Sequence, residues 1–261
     1  MSKTRSRFRP APAINPSIAA DMGVLLVGHG SPRWRGPART LAGHAQRLAG
    51  LGIYGAVRHA TLAGGPDPAR ELAALTGAIH VLVLPMFMSD GYLTRQVLPE
   101  RLGAGAKNPH VRITRPLGLM PGLASLVADV AEEARCARGW CRGDWDLILA
   151  AHGSAGDPAS RRAAQALARG LTGLPSAARI HTAFLEEPPF LDGVFGQLTR
   201  PAVVVGLFAA DGGHATKDVP AALDGARQPI AYAGAIGCDP RIVGLIQAAL
   251  ADSQPASLAV V

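Results

Sequence analysis

The chain has 261 residues, 48% hydrophobic and 17% charged, with a formal net charge of +7. That length holds one large or two ordinary domains, and that apolar content builds buried cores and excludes disorder for most of the chain. No apolar run approaches the ~18–20 residues of a membrane span, and the three cysteines fit neither a disulfide framework nor a zinc or iron–sulfur ligand set.

The reading is therefore of a soluble cytoplasmic protein with reduced thiols and no membrane partner. The positive charge favours an anionic partner. Nucleic acid is a poor one, because only 5% of residues are aromatic and no basic–aromatic stripe is present to stack bases.

Residues 1–20, with Lys3, Arg5, Arg7 and Arg9 among prolines, read as a disordered basic tail. Beyond them, short apolar segments alternate with longer Ala/Leu/Arg-rich helical stretches, the pattern of an α/β fold with parallel sheets. Strands are expected at 23–28, 56–62, 79–86 and 111–116, and again at 145–151, 178–184, 202–208 and 230–236. The order repeats, and so does the punctuation. The first strand of each half runs into His-Gly-Ser, at His29-Gly30-Ser31 and His152-Gly153-Ser154. The third runs into Phe-x-x-Asp-Gly, with a proline nine residues after the aspartate, at Asp90 to Pro99 and Asp211 to Pro220. A period of about 120 residues is too long for a solenoid and fits two duplicated domains. These are placed at 21–140 and 141–261, with a join near Cys136 to Asp144.

In an open parallel sheet, ligands bind beyond the carboxyl ends of the strands. That rule gathers three residues of the second half: His152 after its first strand, Glu186 after its second and His214 after its third. The matching positions of the first half are His29, Ala63 and Leu93. A histidine needed only to hold up the frame would be needed in both copies, and one copy manages without it. Two imidazoles and a carboxylate can ligate a divalent metal or accept protons near neutral pH. Glu187 is the alternative carboxylate, because a one-residue shift in where the strand ends exchanges which side chain points inward. His44, His59, His80, His110 and His181 have no partner pattern and read as ordinary residues.

Ser31, Ser154 and Asp157 read as helix caps, since neither serine lies in Gly-x-Ser-x-Gly. No dinucleotide or P-loop fingerprint is present, so no nucleotide cofactor is expected.

The stretches LILAAHGS, AFLEEPP and GLFAADGGHATKDVPAAL resemble those of the sirohydrochlorin chelatases of the CbiX/SirB type, which group with the class II cobaltochelatases and ferrochelatases. The resemblance spans roughly residues 21 to 251. It implies two chelatase-like, flavodoxin- or Rossmann-like domains, each a parallel four-stranded sheet flanked by helices, facing each other across a cleft that takes a tetrapyrrole. It also implies that His152, Glu186 and His214 bind a divalent metal substrate, Co2+ or Fe2+, and remove pyrrole protons without ATP. The amino-terminal copy is then a degenerate wall that keeps His29.

An anionic tetrapyrrole needs apolar walls and a basic rim. Met86, Phe87, Met88, Tyr92 and Phe208 are candidates for the walls. For the rim they are Arg33, Arg35, Arg95, Arg161, Arg162 and Lys217. Of these, Phe208, Tyr92 and Arg95, together with His29, are the expected substrate contacts. The other readings are a metal- or tetrapyrrole-binding carrier and a nucleic-acid-binding protein. A monomer or a homodimer is equally compatible with the sequence.

Overall fold

A computed structural model of the chain describes residues 20–253 apart from 76, 172, 174 and 175. The expected basic tail lies outside the described residues except for Ala20. The expected fold is present as two parallel four-stranded sheets. The first contains β1 (Met22–Gly30), β2 (Ala56–Ala63), β3 (His80–Met86) and β4 (Val111–Ile113) in the order β2-β1-β3-β4. The second contains β5 (Asp146–Ala151), β6 (Arg179–Phe184), β7 (Ala202–Gly206) and β8 (Ile230–Ala235) in the equivalent order β6-β5-β7-β8.

Every expected strand forms, within a few residues of its expected ends. The central strands read as unbroken apolar runs because helices cover both faces of a parallel sheet. Leu147, Ile148, Leu149 and Ala150 of β5 are wholly buried, as are Leu25, Leu26 and Val27 of β1. At about 1.5–3 kcal/mol for each large aliphatic side chain taken from water, these strands anchor their cores.

The helices are α1 (Gly36–Ala49), α2 (Pro68–Ala73), α3 (Leu98–Leu102), α4 (Leu123–Ala137), α5 (Ala159–Gly170), α6 (Leu191–Gly196), α7 (Val219–Leu223) and α8 (Ile242–Asp252). Each third strand leads into a single π-helical turn, Leu93–Val97 before α3 and His214–Asp218 before α7. Local chemistry sets several helix starts. Asp67 accepts the Arg70 amide at 3.1 Å ahead of Pro68, and Asp157 accepts the Ala159 amide at 2.9 Å.

Contacts divide the chain between Pro121 and Gly122 and again between Asp239 and Pro240. One unit is Gly122–Asp239, and the other joins the chain before it to the segment after it. Thus α4, encoded with the first repeat, packs on β7 and β8 of the second sheet. It buries Leu123, Leu126, Val127 and Ala131 there, the spacing of one helix face. Conversely α8, encoded with the second repeat, packs against α1, and Arg112 donates to the Ser253 carbonyl at 3.1 Å. The motif repeat, with its join near 136–144, and the division by contacts are therefore two different partitions of one chain. Among the described residues, no helix is long and apolar enough to cross a membrane.

Candidate active site

In the second sheet, β5 lies between β6 and β7, so the connections from β5 and from β7 leave on either side of a topological switch point. His152 follows the last residue of β5, and His214 opens the π-helical turn after β7. Their rings stand edge to face with centroids 4.4 Å apart. His152 Nδ1 lies 2.6 Å from the Gly153 carbonyl oxygen, and His214 Nδ1 lies 2.6 Å from Asp218 Oδ2. A carbonyl and a carboxylate can only accept, so both Nδ1 atoms carry a proton, which in the neutral tautomer leaves the lone pair on Nε2. Two imidazoles thus stand side by side, and a neutral imidazole can bind a metal ion or take a proton.

The two adjacent glutamates face different surroundings. Glu187 is the inward residue, 4% exposed. It takes two guanidinium nitrogens of Arg161, one at 2.8 Å, and accepts the Ser154 amide at 3.1 Å. Its side chain lies over Gly153, where a Cβ would meet Glu187 Cγ at 2.7 Å and where φ is +77°. Glycine is required at that position on both counts. Arg161, expected on a basic rim, is instead committed to this ion pair. Glu186 is exposed, and its amide donates to the His152 carbonyl at 2.9 Å. Among the described residues, no three His, Cys, Asp or Glu side chains form a metal cage. The structure thus brings the two histidines together and leaves Glu186 beside them on an adjoining loop.

The first copy keeps the frame and the first histidine but not the second. His29 Nδ1 donates to the Gly30 carbonyl at 2.8 Å, as its counterpart does in the second copy. Leu93 and Val97 occupy the places of His214 and Asp218 and pack on the core around Leu25, Val83 and Leu98. Ala63 and Gly64 stand where Glu186 and Glu187 stand.

The remaining candidates scatter. Phe87 and Phe208, expected as walls, are each 8% exposed and belong to the two cores, because they close the ends of strands covered by helices. Phe208 still stacks toward His214, with centroids 6.3 Å apart. Met86 is buried and Met88 half-buried, whereas Tyr92 is 59% exposed. Arg95 is exposed and paired with Asp90 at 3.0 Å. Arg33, Arg35, Arg162 and Lys217 are exposed.

Ser31 and Ser154, expected as helix caps, instead accept amides of the turns ahead of α1 and α5, whose N-cap positions are Arg35 and Pro158, because each helix starts a few residues later than the serine. His80 and His110 meet at the amino ends of β3 and β4, and His181 lies 3.4 Å from Asp146 at the start of β5. Both pairs are at the opposite end of their strands from the paired imidazoles. None of the three cysteines is in a disulfide, and all are exposed. Sequence reading missed Asp218, whose i+4 spacing from His214 was its one available signal.

The twice-repeated parallel α/β unit, with two imidazoles side by side at the switch point of one copy, has the architecture of the class II chelatases. The sequence model of the CbiX family matches residues 23–134 and, separately, 146–253. The chain belongs to the CbiX family.

Its relatives include the "Probable sirohydrochlorin cobaltochelatase" of Halobacterium salinarum, 25% identical over 269 residues, covering 88% of this chain and 91% of that one. The "Sirohydrochlorin cobaltochelatase" of Methanothermobacter thermautotrophicus is 27% identical over 140 residues, 46% of this chain and 97% of that one, and so corresponds to about one repeat. A solved CbiX described as "the terminal Enzyme for Biosynthesis of Siroheme in Denitrifying Bacteria" is 34% identical with a TM-score of 0.75. That match covers 89% of this chain and all of the other.

Proposed function

We propose that the protein is a cytoplasmic lyase that inserts Co2+ or Fe2+ into sirohydrochlorin or a closely related tetrapyrrole without a nucleotide, in cobalamin or sirohaem biosynthesis. It acts as a monomer or homodimer, and its chemistry belongs to the carboxyl-terminal copy. The observation that carries this reading is the convergence of His152 and His214, 4.4 Å apart and each with Nδ1 already committed.

The reaction exchanges one divalent ion for two pyrrole N–H protons, so the site must deliver metal and remove protons. Two neutral imidazoles can do either. They leave most of the ion's coordination positions to water and incoming pyrrole nitrogens, unlike the closed four-ligand cage of a structural zinc site. Glu186, exposed beside His152, is the carboxylate available to attract the cation or to pass protons to solvent. The relatives named as sirohydrochlorin cobaltochelatases and the solved CbiX support the choice of macrocycle. The net charge of +7 suits a polycarboxylate.

The test is to mix the purified protein anaerobically with sirohydrochlorin and either Co2+ or Fe2+ and follow the macrocycle absorption. Acceleration over the uncatalysed rate with one or both metals is expected. Tight binding of macrocycle or metal with no acceleration would instead identify a carrier.

A further inference from the structure

Three of the differences between the two copies of the α/β unit set an apolar side chain against a polar one around the same turn. Leu93, Val97 and Ile113 of the first copy correspond to His214, Asp218 and Tyr232 of the second. The third match follows from sheet register, since Ile113 pairs with Val83 and Tyr232 with Val204. Those partners in turn sit opposite Leu25 and Ile148, each four residues before its His-Gly-Ser.

The backbone of the turn closes in the same way in both copies. The Leu98 amide closes on the Leu93 carbonyl and the Val219 amide on the His214 carbonyl, each an i to i+5 bond. Gly118 donates to the Phe87 carbonyl and Gly237 to the Phe208 carbonyl, both at 2.9 Å. In the first copy the three apolar side chains all pack on the core. The frame therefore folds with an apolar set, and the polar set in the second copy serves something other than folding.

We infer that Asp218 and Tyr232 are positioning residues that fix the His214 ring and the turn beneath it. This inference rests on His214 being the metal-handling imidazole proposed above. Asp218 Oδ2 accepts a hydrogen bond from His214 Nδ1 at 2.6 Å, which sets both the tautomer and the rotation of a ring that stands edge to face with His152.

Tyr232 solves a problem that the turn creates. The Ala215 carbonyl has no backbone donor at either helical spacing, because the Val219 amide already closes on His214 and Pro220 has no N–H. The Tyr232 hydroxyl supplies the missing donor at 3.0 Å and pins the turn to β8 one residue beyond His214. Half-buried Tyr232 thus ties the catalytic turn to the sheet edge, a tie that Ile113 cannot make in the other copy.

The experiment uses the full chain and three substitutions: Asp218→Val, which copies the first repeat, Asp218→Asn and Tyr232→Phe. Co2+ binding is followed by calorimetry without macrocycle, kcat and KM are measured with sirohydrochlorin, and thermal melting is recorded alongside. Asp218→Val is expected to weaken Co2+ binding and lower kcat by about 10- to 100-fold, the range found for outer-shell partners of metal-binding histidines. The KM for macrocycle should stay within about twofold and the melting temperature should hold, as Val97 shows that the frame accepts valine at this place. Asp218→Asn, which keeps an acceptor oxygen, should recover much of the loss, and Tyr232→Phe should cost a smaller factor in the same two quantities.

The inference is overturned if Asp218→Val binds Co2+ and turns over within about twofold of the parent, or if every loss follows the melting temperature. A His214→Ala control in the same series separates the two readings. If it leaves Co2+ binding unchanged, the proposed role of His214 fails. If it abolishes binding while the other variants do not weaken it, only the positioning role fails.

Discussion

Arg161 and Glu187 form an ion pair beneath the loop that carries His152. The guanidinium grips one carboxylate oxygen, with Nε at 2.8 Å, while the other oxygen holds the Ser154 amide at 3.1 Å. The carboxylate is buried and the arginine is 39% exposed, so solvent screens only one partner. In the first copy Ala38 and Gly64 stand at these places, and the loop after His29 is built without the pair.

Glu187→Ala should therefore destabilise the protein by about 2–4 kcal/mol, since it strands Arg161, leaves the Ser154 amide without its acceptor and empties the space over Gly153. Glu187→Gln, which retains an oxygen for Ser154, should lose about half as much. Urea denaturation at neutral pH measures both. An unchanged midpoint for Glu187→Ala would show that the pair does not hold the loop.

Loss of either imidazole of the pair should remove general-base and metal-holding capacity together. His152→Ala and His214→Ala are each expected to lower kcat by about 100-fold or more, and His29→Ala by no more than about threefold. Steady-state metal insertion under anaerobic conditions decides the matter. Equal damage from His29→Ala would move the active half, or show that both halves act.

Gly118 and Gly237 test the duplication through sterics alone. A Cβ at either position would lie 1.9 Å from the Met88 carbonyl oxygen or 2.3 Å from that of Ala209, and backbone cannot step aside cheaply. Gly118→Ala and Gly237→Ala should each cost about 3 kcal/mol or more, with both melting curves shifted by similar amounts. A tolerated substitution in one copy would show that the two turns are not built alike.

Glu132 on α4 sets an acid limit. Burial alone raises its pKa. Hydrogen bonds from Arg135, at 2.7 Å, and from Ser176, with the charges of Arg135 and Arg142, outweigh that and hold the carboxyl below its ordinary value of 4.5. With the folded pKa depressed, the stabilisation is fully present above about pH 4.5 and is lost as pH falls through the folded value. Glu132→Gln should accordingly be less stable than the parent at pH 7, with the gap closing in acid. Denaturant midpoints measured from pH 7 to pH 3 check this, and a gap that persists at the acid end would contradict it.

The strands and the duplication were legible along the chain because strand burial and turn punctuation are local. A run such as Asp146–Ala151 ending in His-Gly-Ser announces a buried parallel strand and its exit without reference to the rest of the molecule. The histidine pair was legible for a related reason: the switch-point rule places residues by strand order, and His214 had Leu93 as its internal control. The alternation of side chains at a strand end was not readable to a single residue. That is why Glu186 and Glu187 stay interchangeable in the sequence, and why only the contact with Arg161 shows that Glu187 is the buried one.

The sequence by itself thus determined a repeated α/β chain in which one copy is equipped with two imidazoles. Only the tertiary structure decided what surrounds them. Asp218 becomes the partner of His214 through a π-helical turn, Tyr232 reaches that turn from β8, α4 packs on the sheet of the other repeat and α8 on α1. These outcomes depend on contacts between residues far apart in the chain, or on a hydrogen-bond ladder shifted by one residue. Neither leaves a mark in local periodicity, because the apolar face of a helix declares that it will be buried without declaring against which sheet.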